Sequence, residues 1–254
     1  MKIKKTGIAL AAALLLAAGC GKDSSAQYDA GAEALEAGNY AEARTQFEAC
    51  ISAGESLAQA YRGAGIACLR QQDYAQAETY LQQGLEELGS GNKSTRRDIL
   101  FYLAQAQTQQ GKIQEAEASY DQILSDGDNA QAYVLKGRLL LHSGDEAKAE
   151  DCFERAVKDC TDYDIYIDIF QAYNDVRRNA DGTKYLEKAL EIEQGTAEDN
   201  YQHGRVYYYL RDYENARECL SQAVTDGSRE AMLLLGQVYL ELDDASSARA
   251  MYQN

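Results

Sequence analysis

Only two histidines, His142 and His203, are available for acid–base work. They lie in different segments, and neither has the HExxH-type partner that would hold a metal or poise a nucleophile. No GxSxG, P-loop or GxGxxG context is present. Four carboxylates, Asp162, Asp164, Asp168 and Asp175, are the densest group able to meet a cation. Spacings of four and seven place Asp164, Asp168 and Asp175 on one face of a helix. They do not converge as a calcium loop does, so a solvated acidic stripe is expected. The cysteines after Cys20 are Cys50, Cys68, Cys152, Cys160 and Cys219, an odd number with no CxxC. Neither a disulfide framework nor a zinc site follows from them. Cys50 and Cys68 fall on buried faces of adjacent helices, as core thiols or within reach of a bridge. Cys152 and Cys160 share one expected helix, where about 12 Å separates them, too far to bridge. Catalytic, metal-binding and cofactor sites are therefore not expected.

The elements that carry these residues repeat. Small residues recur at Gly31, Gly65, Ala104, Gly137, Gly204 and Gly236. Twelve residues after each stands an alanine: Ala43, Ala77, Ala116, Ala149, Ala216 and Ala248. Four residues later comes a bulky apolar side chain: Phe47, Leu81, Tyr120, Phe153, Leu220 and Tyr252. A period of about 34 residues is that of a stacked helical array. The small residue lets a second helix cross closely, the alanine admits the first, and the bulky residue plugs the gap. The absence of proline and the wealth of Ala, Leu, Gln and Glu fit an all-helical chain.

The units resemble the tetratricopeptide repeat, over about nine tenths of the chain. They start near Ser24, Ala58, Arg97, Ala130, Tyr163, Ala197 and Arg229. The resemblance implies an all-α, right-handed superhelical solenoid of about seven helix–turn–helix repeats, an array over residues 27–254. Three departures stand out. Glycines Gly54, Gly127 and Gly227 fall where the family closes its second helix with proline, and glycine can stop a helix equally well. Repeat 5 has Phe170 at the small position and Gly182 at the alanine position. About five extra residues around "GSGNKST" suggest a longer surface loop, with Ser94 or Thr95 capping the next helix. The chain stops at position 26 of repeat 7. A solenoid end calls for a polar cap, so a truncated chain, a frayed end and an end docked on a partner or second copy all fit.

In this family the first helix of each repeat lines an inner groove, with positions 2, 5, 9, 12 and 13 outward. Position 9 gives Ala32, Ile66, Gln105, Arg138, Gln171, Arg205 and Gln237. Repeats 3 to 7 thus carry amide and guanidinium groups able to bond a peptide backbone or a carboxylate. Phe101, Tyr102, Tyr201 and Tyr208 join them, and Tyr and Arg are the usual hot-spot types. The alternative is an ordinary solvated helix face. The family's dicarboxylate clamp is not recognisable. In "YYYL" at 207–210, successive residues point about 100° apart. Tyr207 is expected to pack inward, Tyr208 to face the groove and Tyr209 to meet a partner. Tyr40, Tyr74 and Tyr213 recur near the turn, where a ring packs and its hydroxyl reaches water.

The first residues, "MKIKKTGIALAAALLLAAGC", join a basic start to an apolar run from Ile8 to Ala18, too short to span a bilayer. "LAAGC" resembles a bacterial lipobox, in which cleavage precedes a lipid-bearing cysteine. That implies a signal peptide over 1–19, lipidation at Cys20, and a tether over 20–26. The other readings are an ordinary cleaved signal and an uncleaved anchor. Six flexible tether residues reach about 13 Å, which keeps the array near its membrane. The net charge of −16 deepens once Lys2, Lys4 and Lys5 are removed. Nucleic acid, which needs a basic patch, is not an expected partner. The membrane is met through the lipid only, because an acidic body does not adhere to it. The expected function is an extracytoplasmic scaffold or adaptor that binds proteins or peptides. The alternatives are a ligand- or peptide-capture receptor and a pilotin or outer-membrane assembly factor.

Overall fold

A computed structural model describes residues 26–192 and 197–253. The expected signal peptide, Cys20 and nearly all of the tether lie outside those residues. Among the described residues there are fourteen helices and no strand. They fall into two compact units divided after Asp126. The first unit holds α1 (Ala26–Glu36), α2 (Tyr40–Ala53), α3 (Leu57–Arg70), α4 (Tyr74–Leu88), α5 (Lys93–Gln109) and α6 (Ile113–Ser125). The second holds α7 (Ala130–Ser143), α8 (Glu146–Val157), α9 (Tyr163–Asp175), α10 (Asn179–Leu190), α11 (Ala197–Leu210), α12 (Tyr213–Thr225), α13 (Arg229–Glu241) and α14 (Ala245–Gln253). Within each unit every helix packs on the next, and odd-numbered helices also touch the following odd-numbered one.

The period is realised as close helix crossings. A Cβ added to Gly137 would lie 2.5 Å from the ring of Phe153. The same holds for Gly31 over Phe47, Gly65 over Leu81, Gly204 over Leu220 and Gly236 over Tyr252, at 2.5–2.9 Å. The six alanines of the period are buried. Repeat 5 solves the same problem in reverse. A Cβ on Gly182 would meet the Phe170 Cα at 3.2 Å, so the backbone of α10 occupies the room that a small residue on α9 would have left. The Phe170 ring, whose Cδ2 would also stand 3.2 Å from that Cβ, faces Tyr209 of α11 at a centroid distance of 6.0 Å.

The turn between the helices of each repeat needs one left-handed residue. Gly38, Gln72, Gly111, Gly144, Arg177, Arg211 and Asp243 all have φ of 59–90°. Four of the seven are not glycine, although the conformation strains a side chain. Asp73, Asp145 and Asp212 follow three of these turns and cap the second helix through their carboxylates. Gly54 caps α2 in the left-handed conformation, while Gly127 and Gly227 stand two residues past the ends of α6 and α12.

Two expectations about termini are corrected. Asn92, not Ser94 or Thr95, caps α5, its side chain accepting from the Ser94 and Thr95 amides at 2.9 and 3.3 Å. Most of the insertion is helical: α5 runs to 17 residues, and the loop shrinks to 89–92. Asparagine matches the local geometry because it accepts from two amides at once. Cys152 and Cys160 do not share a helix, since α8 stops at Val157 and Asp159 takes φ 55°. All five cysteines among the described residues are thiols, including Cys50 and Cys68.

Candidate interaction face on the first helices

In the second unit, α7, α9 and α11 lie side by side, and half-buried Arg138, Gln171, Tyr201 and Arg205 take partners along them. Arg138 of α7 donates from Nη2 to the Asp168 carbonyl at 3.1 Å, and its Nε stands 3.9 Å from the Asp175 carboxylate. Arg205 of α11 donates to Asp164 at 2.6 Å and to Gln202 at 2.6 Å. Its guanidinium also sits 5.7 Å above the Tyr201 ring. Gln171 of α9 donates to the Tyr209 hydroxyl at 3.1 Å.

The acidic stripe of α9 is solvated as expected at Asp162, Asp164 and Asp175, which are exposed, and its carboxylates also take partners. Asp162 caps its own helix through the Asp164 amide. Asp164 and Asp175 are the counter-charges of Arg205 and Arg138. Burial pushes the Asp168 carboxyl above its ordinary range, with Arg138 and Gln131 pulling it back. Spacing had already placed Asp164, Asp168 and Asp175 on one face, and Gln171 falls on it too. What spacing could not show is that the two position-9 arginines of neighbouring repeats meet this face from either side. Among the described residues no group of three potential ligands is arranged for a metal.

The other expected site residues are placed apart. Gln105 is half-buried on α5 in the first unit, and Gln237 is exposed on α13. Tyr102 lies 5.9 Å below the Arg62 guanidinium, which pairs with Asp98. Burial, with Asp98 adding, raises the Tyr102 hydroxyl above its usual range. The three tyrosines of α11 diverge as their spacing requires. Tyr207 joins the apolar cluster of α11–α13. Tyr208 packs in the same cluster, 6.0 Å from both Tyr209 and Tyr213. Tyr209, expected to meet a partner, is the one that completes the α9–α11 face.

A lone histidine on a repeat helix is ordinarily a surface or interface residue, and His203 is not. It is buried on α11, with Nε2 3.0 Å from the Tyr163 hydroxyl. Burial depresses its pKa, against the opposing pull of Asp199 and an Ile192 backbone bond. A neutral histidine is therefore part of the joint between α9 and α11. The unfolded chain takes up a proton near pH 6.5 and the folded chain only at a lower pH. That share of stability is complete above the unfolded value and is lost as the pH falls from it through the lower folded value. Melting curves at pH 7.5 and 5.5 are expected to drop more for the native chain than for His203→Gln.

A tetratricopeptide-repeat family profile matches residues 28–93, 101–164 and 201–253. A comparison with curated proteins gives no match. Among solved structures, the chain is similar to a tetratricopeptide repeat protein from Parabacteroides merdae (14% identity, 89% of this chain and 90% of that chain, TM-score 0.52). It is similar also to MamA (19% identity, 64% and 93%, TM-score 0.51). A third likeness is to the apo quorum sensor NprR of B. thuringiensis (13% identity, 89% and 73%, TM-score 0.52). These identities speak for the fold alone. With the profile covering well over half of the residues, and with glycine-over-plug crossings in five repeats, the chain belongs to the tetratricopeptide repeat family.

Proposed function

We propose that the protein is a scaffold that binds other proteins or peptides along the face of α7, α9 and α11, held at a bacterial membrane by a lipid on Cys20. The observation that carries the binding reading is the ordered polar face itself. Arg138, Arg205 and Gln171 are fixed by partners on the neighbouring helix, so little side-chain entropy is lost when a ligand arrives. The three carboxylates of α9 outnumber the two arginines, which favours a neutral or basic peptide. Such a face positions a partner and needs no catalytic group. The anchoring reading rests on "LAAGC" after a basic and apolar leader.

A photo-crosslinking residue at Gln171 in the full chain, expressed in cells, is expected to capture a small set of proteins. The same residue at the exposed Glu187 of α10 is expected to miss them. Identical capture at both positions would overturn the binding reading. Metabolic labelling with a fatty-acid analogue is expected to mark the native chain and not Cys20→Ala; equal labelling would remove the anchor.

A further inference from the structure

A cleft of about 240 Å3 opens at the N-terminus of α10, between α8 and α10 and in the repeat that breaks the period. That is below the roughly 300 Å3 at which pockets for drug-sized ligands begin, so it has room for one small molecule. Its walls carry both signs of charge. Glu146 and Glu150, one turn apart, come from α8. Asp181 and Lys184 come from α10, and Arg178 stands at the N-cap of that helix. Arg178 gives Nε to Asp181 at 2.6 Å and Nη1 to Glu146. Its Nη2 makes no bond among the described residues. Lys184 pairs with Glu150.

Tyr173 of α9 also lines the cleft, and its ring stacks on that of Tyr185, 6.1 Å away. The Tyr185 hydroxyl is buried and has no hydrogen-bond partner among the described residues. Burial pushes its pKa up, with Tyr173 and Glu154 adding. Glu154 accepts instead from Lys188, at 2.7 Å. A buried hydroxyl left over in this way is explained by a small polar molecule bound beside it.

The start of α10 indicates which charge goes where. Arginine has no acceptor, so Arg178 leaves the first amides of α10 without a side-chain cap. Asp145 and Asp212 supply that cap to α8 and α12. Uncapped amides and the helix dipole favour a carboxylate at this end. Glu146, Glu150 and Asp181 disfavour a bare anion in the cleft, as Arg178 and Lys184 disfavour a bare cation.

We propose that this cleft binds a free α-amino acid, a small zwitterion whose two charges match the two signs of the walls. Its carboxylate meets Arg178 Nη2 and the first amides of α10, and its ammonium group lies between Glu146 and Glu150. This goes beyond the scaffold reading, because the charged walls belong to second helices and the α7–α9–α11 face is not needed for it.

The test titrates the full chain with free L-amino acids covering all standard side chains, read by isothermal titration calorimetry. At least one is expected to bind with a Kd of about 1 mM or tighter. Its N-acetyl form lacks the ammonium charge and its amide lacks the carboxylate. Each is expected to bind about tenfold or more weakly than the free amino acid. Arg178→Gln and Glu150→Gln are expected to weaken binding by a similar factor while circular dichroism stays native. Ala180→Trp, at an exposed position that lines the cleft, is expected to block binding and keeps the test decisive if the charge variants do not fold. Absence of binding by every amino acid would overturn the proposal. Equal binding of the blocked forms, or binding that all three variants leave unchanged, would overturn it too. So would inorganic phosphate binding as tightly as the amino acid, which would make the cleft a plain anion site.

Discussion

Phe153→Ala is expected to destabilise the second unit by about 3–5 kcal/mol, the range for deleting a fully buried aromatic ring. The ring fills the crossing of α7 and α8 over Gly137 and also touches Tyr173 and Tyr185, at centroid distances of 5.4 and 6.0 Å. A repeat array has no central core to share such a loss, because each repeat leans only on its neighbours. The converse change is Gly137→Ala, which sets a methyl 2.5 Å from that ring. It is expected to cost about 1–3 kcal/mol through overpacking. In a Phe153→Leu background the added methyl has more room, so its penalty should shrink. Urea unfolding followed by circular dichroism measures all four chains of the cycle. Strict additivity would mean that the glycine is not there to admit the ring.

Glu78→Leu is expected to cost about 3 kcal/mol in the first unit, since it strands several donors at once. Glu78 is buried on α4. Its carboxylate accepts from Lys112 at 2.6 Å, Gln110 at 2.8 Å and Gln107 at 3.4 Å. Gln107 accepts in turn from the Ser119 hydroxyl at 2.8 Å. The network ties α4 to α5 and α6. Burial pushes the Glu78 carboxyl up, but the bonds from Lys112, Gln110 and Gln107 together outweigh it and hold the group below its ordinary value. The folded chain therefore binds this proton less readily than the unfolded one. The stabilisation is complete above the unfolded value, near pH 4.3, and is lost as the pH falls through the lower folded value. Thermal melts should show the native chain and the variant far apart at pH 7 and closer at pH 3. A gap unchanged across that range would exclude the ionised network as its cause.

The helices α7, α9, α11 and α13 begin at Ala130, Tyr163, Ala197 and Arg229, where repeat units were expected to start, whereas α5 begins at Lys93, ahead of Arg97, for a local cause. There the period alone could not tell whether inserted residues loop out or extend a helix, and the double acceptor at Asn92 decided for the helix. The face was legible in part. Position 9 identified Arg138, Gln171 and Arg205, and helical spacing identified the carboxylates, but as two unrelated features. Their union depends on how far one first helix is rotated against the next. Tyr209 and not Tyr208 lies on that face for the same reason, since the rotation of α11 sets one ring on the face and the other in the apolar cluster. His203 had no distinguishing pattern at all, because its burial comes from Tyr163 forty residues earlier.

The sequence by itself determined the repeat: a small residue, an alanine twelve further on and a bulky plug after four more already specify two helices and their crossing. That information is local, carried by helix periodicity and by the volumes that meet within one unit. Only the tertiary structure decided which charges pair and which histidine is buried. Those outcomes lie between repeats, where the rotation and spacing of neighbouring helices choose among side chains that no period in the chain distinguishes.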